Sequence, residues 1–211
     1  MIKKSWIVHF CLGFLKLTGY VPAWLFFKPR VYCVEGASRR LPKGCILVSN
    51  HQSLLDFVLY LITFPFRNIR FLMAEVLFSH NKPLTTFLYC VGGIKVDRDA
   101  KDFGFVSDSL EVLDQGGTVG IFPQGRLPVN GKPFPFTSST AFIALHTDKP
   151  IIPVYTAGGY SLFKRARVVI GAPMMLGEYF PELEEKQRLQ ALTELMEKTV
   201  YDLKEEIEKR K

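Results

Sequence analysis

His51 is the residue around which chemistry could be built. It stands in "VSNHQSLLDF", residues 48–57, directly after Asn50 and five positions before Asp56. The stretch also fits a plain helix start. Ser53-Leu54-Leu55-Asp56 has the spacing of a capping box, in which a Ser side chain and an acidic side chain three residues on satisfy the free N–H groups of a first turn. A catalytic pair has a stricter geometric demand. Five helical residues turn the chain through about 500°, so positions five apart do not share a face of a regular helix. His51 must then precede the helix, with Asp56 in the first turn reaching back. There the carboxylate would hold the imidazole tautomer and stabilise the imidazolium once a proton is taken. The chain has no G-x-S-x-G elbow and no Cys set in an evident triad. A histidine and a carboxylate without a protein nucleophile suggest general-base activation of a substrate hydroxyl.

Fixed positive charge stands in two further polar stretches, at Arg98 in "VDRD" and at Arg126 in "FPQGRLPVNG". Arginine grips phosphate through paired hydrogen bonds. Asp97 and Asp99 offer Arg98 the alternative of a surface ion pair. "GRLPVNGKP" fails as a P-loop, with one residue too many between its glycines and a Pro where Ser or Thr must hold magnesium. No His/Cys cluster has metal-ligand spacing, so no metal is expected. His9 and His80 stand in no site-like loop, and His146 ends a helical stretch, where the last carbonyls are its natural partners. A hydroxyl acceptor that carries a phosphate fits the set.

The elements that must position these residues are short β-rich runs alternating with helical patterns. Strands are expected near 31–35, 45–50, 68–74, 93–97, 118–122, 150–156 and 166–171, and helices at 53–64, 84–91, 100–115 and 139–147. Leu192, Met196, Val200, Leu203 and Ile207 recur at helical spacing in a charged tail, an amphipathic closing helix. The fold class is therefore α/β, a mixed and largely parallel sheet flanked by helices. "NHQSLLD", "VDRD" and "FPQGRLPVNG" each follow a strand, where ligands gather in such sheets.

The net charge of +7 is confined to one end: residues 1–50 carry eight Lys and Arg against Glu35 alone, and the rest balances to zero. These basic residues are interleaved with long apolar runs, which suits an anionic membrane surface better than nucleic acid. Within 1–27, the uncharged stretches Ser5–Leu15 and Leu17–Phe27 are separated by Lys16, with Gly19 and Pro22 beyond it. Each is about half the ~20 residues of a spanning helix. The expectation is two short helices in the headgroup region, with Trp6, Tyr20 and Trp24 at the interface and lysines reaching the phosphates. A buried pair of core helices is the alternative. The chain then divides into a membrane-interfacial helical anchor, residues 1–27, and one domain, residues 28–211. Cys11, Cys33, Cys45 and Cys90 show no framework spacing, and there is no N-x-S/T sequon, both consistent with a reducing compartment.

Taken together, these stretches resemble the glycerolipid acyltransferases typified by lysophosphatidate (1-acyl-sn-glycerol-3-phosphate) acyltransferase. The first motif of that family, N-H-x-x-x-x-D, corresponds to Asn50, His51 and Asp56. A Gly-to-Arg stretch corresponds to "GGIKVDR" and gives Arg98; F-P-E-G followed by Arg corresponds to "FPQGR"; a V/I-P-V/I run corresponds to Ile152-Pro153-Val154. All four occur in order over residues 45–157. The resemblance implies a membrane O-acyltransferase of phospholipid biosynthesis. It would move a fatty acyl group from acyl-CoA or acyl carrier protein to a lysophospholipid hydroxyl, converting lysophosphatidate to phosphatidate. His51 would be the base and Asp56 its partner, with Asn50, Arg98, Gln124, Gly125, Arg126 and Pro153 on the substrate side. No cofactor is implied beyond the thioester co-substrate. The family's N-terminal two-helix membrane motif would place the protein on the cytoplasmic face of the cell membrane, peripheral or monotopic.

Three positions depart from the pattern. Gln124 replaces the usual Glu and brings an amide that can bond an acceptor hydroxyl or phosphate without charge. Arg126 follows Gly125 directly, where many members place a Thr between, and Lys95 stands where an aromatic is common. They leave room for a different acceptor, such as glycerol phosphate or a lyso-aminolipid, or for a catalytically impaired lipid-binding protein on the same scaffold.

Overall fold

β2, Cys45–Ser49, is apolar along its whole length because both of its faces are covered. Cys45 and Leu47 point into one hydrophobic cluster, Ile46 and Val48 into another. A computed structural model, describing residues 5–97, 104–158, 160–161 and 163–209, gives the sheet that separates these clusters. β2 is its central strand, in the order β1-β7-β6-β2-β5-β3-β4. The others are β1 Arg30–Cys33, β3 Ile69–Ala74, β4 Ile94–Val96, β5 Thr118–Ile121, β6 Ile151–Ala157 and β7 Arg167–Ile170. β4, β3, β5, β2 and β6 run parallel; β7 is antiparallel to β6, and β1 is parallel to β7.

One face is covered by α1 (Ser5–Phe27), α2 (Asp56–Thr63), α3 (Glu75–Phe78) and α4 (Lys82–Cys90). The other is covered by α5 (Gly104–Asp114), α6 (Ser139–Thr147) and the closing helix α7 (Glu185–Glu208). The α/β layering anticipated from the strand–helix alternation is what forms. α4 starts at Asn81, whose side chain accepts from Leu84 N at 2.9 Å, with Pro83 in the first turn. The single turn of α3 was not anticipated, since four residues are too few for a periodic signal.

The N-terminal segment differs from expectation. It is one 23-residue helix that runs through Lys16, Gly19 and Pro22, not two short ones. Packing overrides these local breaks. Val8, Leu12 and Phe27 are buried in the core, each contributing about 1.5–3 kcal/mol of apolar burial. Lys16 does not reach outward. Its Nζ donates to Pro65 O at 3.1 Å, Arg67 O at 2.5 Å and Asn68 Oδ1 at 3.1 Å, pinning mid-helix to the chain after α2.

β5 needs a glycine at one point, where an aromatic ring from the neighbouring strand lies against its backbone. A Cβ on Gly120 would lie 2.3 Å from the Phe71 ring and 2.9 Å from Ile69 Cγ2. Phe71 and Ile69 are buried, so neither ring nor methyl has room to retreat. Gly120→Ala is expected to cost about 1–3 kcal/mol by overpacking. A thermal melt checks it; an unchanged Tm would show that Phe71 is less tightly fixed than its surroundings imply.

Candidate active site

The carboxyl ends of β2, β5 and β6 lie side by side, with Val48 opposite both Ile121 and Pro153. That register brings the loops after Ser49, Ile121 and Ala157 together along one sheet edge, the usual ligand edge of parallel sheets. β3 and β4 end on the same edge.

His51 precedes α2 and Asp56 opens it. His51 Nδ1 lies 2.8 Å from Asp56 Oδ2, which also accepts from Gln52 N at 2.7 Å and Ser53 N at 2.9 Å. Oδ1 accepts from the Tyr160 hydroxyl. Asp56 is wholly buried. An ionised carboxylate only accepts, so Nδ1 carries the proton and donates, and Nε2 keeps the lone pair. The helix-start and catalytic geometries are compatible. The Ser53 N–H bond to Asp56 is one half of a capping box, while Ser53 Oγ accepts from Leu55 N at 3.2 Å instead of closing the other half.

The imidazole is held on a second side by an aromatic stack. Its ring lies over Phe122, centroids 4.2 Å apart and planes 14° from parallel, and Phe122 stacks in turn on Phe71 at 5.4 Å. Tyr60 borders the same stack, 5.9 Å from Phe122. Burial, then the charge of Asp56, pushes the Tyr60 hydroxyl well above the ordinary tyrosine range. It therefore stays protonated and bonds Ser49 and Thr156 Oγ1, the latter at 2.6 Å.

The remaining expected residues divide. Asn50 is buried, with Nδ2 donating to Thr156 O at 2.9 Å and Oδ1 accepting from Thr156 N at 2.8 Å. It staples the ends of β2 and β6 and does not line the cleft. Pro153 lies within β6, with its ring where a Cβ on Gly171 would be, and is likewise away from the cleft. Gln124 reaches the cleft but its amide is engaged inside the protein. Oε1 accepts from His51 N at 2.5 Å and Nε2 donates to Tyr201 OH, on α7, at 3.1 Å. The amide that stands in place of Glu is thus matched by a hydroxyl acceptor. Gly125 takes φ +66°, a left-handed turn that favours glycine, and closes the Phe122 turn through its N–H. Arg126 is at the rim, its guanidinium 5.1 Å above the Phe134 ring. Arg98 lies outside the described residues.

His51, Gln124, Gly125 and Arg126 line one cavity of about 1020 Å³. Leu54, Phe57, Met73, Leu77, Leu88, Phe105 and Ile121 form much of its wall, so the chamber beside His51 is predominantly apolar. Tyr160, Phe122 and Tyr201 were not singled out from sequence. Phe122 carried the one available signal, its place in "FPQGR"; Tyr160 and Tyr201 lie outside every motif.

A sequence profile described as Acyltransferase matches residues 31–157, more than half of the chain. The chain belongs to the acyltransferase family. It is 25% identical over 170 residues to the 1-acyl-sn-glycerol-3-phosphate acyltransferase of Bacillus subtilis, covering 78% of this chain and 83% of that one. To human 1-acyl-sn-glycerol-3-phosphate acyltransferase beta it is 31% identical over 119 residues, 55% of this chain and 43% of the human protein. The chain thus spans less than half of that relative. The crystal structure of the 1-acyl-sn-glycerophosphate (LPA) acyltransferase PlsC from Thermotoga maritima superposes with a TM-score of 0.62. It covers 92% of this chain and 78% of that one at 22% identity, a likeness of fold.

The Gln124 geometry makes a paired prediction for this acyltransferase. Tyr201, pushed up to about 12 chiefly by burial, with the charge of Glu197 adding, keeps its proton and can turn it towards a carboxylate. Gln124→Glu should therefore fold, with its new charge bonded by His51 N–H and Tyr201 O–H. Adding Tyr201→Phe removes that donor and should cost ~1–3 kcal/mol more than the same change costs beside Gln124, read as a drop in Tm larger than the two single-variant drops combined. Simple additivity would show that Gln124 and Tyr201 are not coupled.

Proposed function

We propose that this acyltransferase moves a fatty acyl group from an acyl thioester, acyl-CoA or acyl carrier protein, to the hydroxyl of a lysophospholipid, with lysophosphatidate as the acceptor. One observation carries the reading: an imidazole with Nδ1 fixed on a buried carboxylate borders a large apolar chamber. His51 Nε2 takes the proton of the acceptor hydroxyl as its oxygen attacks the thioester carbonyl. The new C–O bond forms, the C–S bond breaks, and the imidazolium returns the proton to the departing thiolate. A thioester already carries a good leaving group, so base catalysis and positioning suffice without a covalent enzyme intermediate. The chamber suits an acyl chain. Arg126 at the rim, and Arg98 next in sequence to the cavity-lining Asp97, supply charge for the acceptor phosphate.

The same reading puts the protein on an anionic membrane, at the cytoplasmic face. Trp6, Phe10, Phe14, Leu17, Val21, Trp24 and Leu25 of α1 are exposed and follow one helical stripe, opposite the buried Val8 and Leu12. By length and composition α1 could cross a bilayer. Its buried face and the Lys16 bonds favour a helix lying along the domain with its stripe in the lipid. Phe163, 94% exposed beside Lys164 and Arg165, has the composition of a second interfacial contact.

His51→Ala is expected to lower acyl transfer to lysophosphatidate by about 10²–10⁴-fold with the fold retained. Asp56→Asn should keep Tm within a few degrees, because the amide oxygen can replace Oδ2 and its NH₂ can face the Tyr160 oxygen. Activity should fall with the lost charge, as measured with purified protein, vesicles and both thioester classes. Near-normal turnover by a folded His51→Ala protein would remove the mechanism. For the membrane, Phe10→Ser, Phe14→Ser and Leu17→Ser together should reduce sedimentation with anionic vesicles while leaving Tm nearly unchanged. Deleting residues 1–27 would strip core residues and cannot isolate the effect. Unchanged sedimentation of the triple variant would move the membrane contact elsewhere.

A further inference from the structure

We propose that Tyr160 is a positioning residue for the His51–Asp56 pair, and that its ring couples that pair to the end of α1. The inference rests on the proposed acyl transfer for its catalytic meaning, though not for its test. Tyr160 lies beyond the last of the four motifs, in the loop after β6. Its hydroxyl donates to Asp56 Oδ1, on the opposite side of the carboxylate from the three donors gathered on Oδ2. A carboxylate held by one oxygen can still turn about its own axis. A donor on the second oxygen fixes the plane, and with it the direction in which Oδ2 meets the imidazole.

The hydroxyl is suited to that role at every working pH. Burial, then the charge of Asp56, drives it far above the ordinary tyrosine range, so it does not ionise. The groups facing the carboxylate are then few: His51, Tyr60 and Tyr160, with Ser53 beside them. The ring of Tyr160 meets Phe27, the last residue of α1, edge to face at 5.2 Å and 61°. Phe27 is buried, and its carbonyl accepts from Ala166 N at 2.8 Å, so the segment carrying Tyr160 is tied to the helix by a ring contact and a backbone bond. A helix whose other face is proposed to sit in lipid thus abuts a side chain that orients the base's partner.

Tyr160→Phe keeps the ring on Phe27 and deletes only the hydroxyl. With one donor fewer, Asp56 accepts more strongly from the imidazolium, so His51 should hold its proton to higher pH. NMR titration of isotope-labelled histidine in the full chain, with His51→Gln to assign the resonance among the four histidines, should show the His51 midpoint rising by about half a unit or more. The acid limb of the pH–kcat/KM profile should move the same way. kcat should fall about 10–100-fold, the worth of a hydrogen bond to a charged group, with little change in KM. Replacing Tyr160 alone by 3-fluorotyrosine, a stronger donor, should move the His51 midpoint down and serves if Tyr160→Phe folds poorly. Phe27→Leu, which keeps an apolar side chain but removes the aromatic edge, should shift the midpoint in the Tyr160→Phe direction by less.

An unmoved His51 midpoint in folded Tyr160→Phe, or in the fluorotyrosine protein, overturns the positioning role. A shift in Tyr160→Phe with none in Phe27→Leu overturns the coupling to α1. A wild-type protein that transfers no acyl group would sink the functional reading, while the NMR titration would still decide on Tyr160.

Discussion

The carboxylate of Asp56 is the group on which the site depends. It is fully buried, and an ion so placed is tolerated only when its oxygens are satisfied by donors. Here the donors come from separate parts of the chain: the imidazole of His51, the loop amides of Gln52 and Ser53, and the hydroxyl of Tyr160. The charge thereby organises the loop before α2 and the loop after β6 around one point. The same bonds decide the tautomer of His51, since a carboxylate that only accepts leaves Nδ1 no choice but to donate. Stability of the loop and orientation of the His51 imidazole are one interaction seen from two ends.

The rest of the fold serves this arrangement by fixing what surrounds it. β2 is clamped between β5 and β6, and Asn50 locks its end to the backbone of Thr156. Gly120 leaves room for Phe71, which supports Phe122, which in turn lies flat against the imidazole. Gln124 holds the His51 backbone from the α7 side. His51 is therefore restrained at its ring face, at Nδ1 and at its own amide, while the apolar cavity lies beside it. Apolar walls beside the pair strengthen its electrostatics.

Much of this was legible in the sequence, for identifiable reasons. Strand–helix alternation and the amphipathic tail pointed to the α/β layering because both signals are local and strongly periodic. The spacing of His51 and Asp56 could be solved by helix geometry alone, since only one arrangement lets them meet. What was not legible depended on contacts distant in sequence. The partner of Asn50 was hidden because only the register of β6 against β2 puts Thr156 within its reach. Gln124 looked like a lost charge until Tyr201, far along the chain on α7, supplied the matching oxygen. Lys16 read as a helix break because the carbonyls at 65 and 67 that receive it are invisible to any local pattern. Tyr160 had no signal at all: a lone tyrosine in a loop acquires meaning only when the fold carries it to Asp56.

The most direct test of the central claim is a crystal structure with lysophosphatidate and a non-transferable thioester analogue bound. Base catalysis by His51 predicts the acceptor hydroxyl within about 2.6–3.2 Å of its Nε2, with Nδ1 still on Asp56 and the acyl chain in the apolar cavity. A hydroxyl bound away from Nε2, or an imidazole turned so that Nδ1 leaves Asp56, would contradict it.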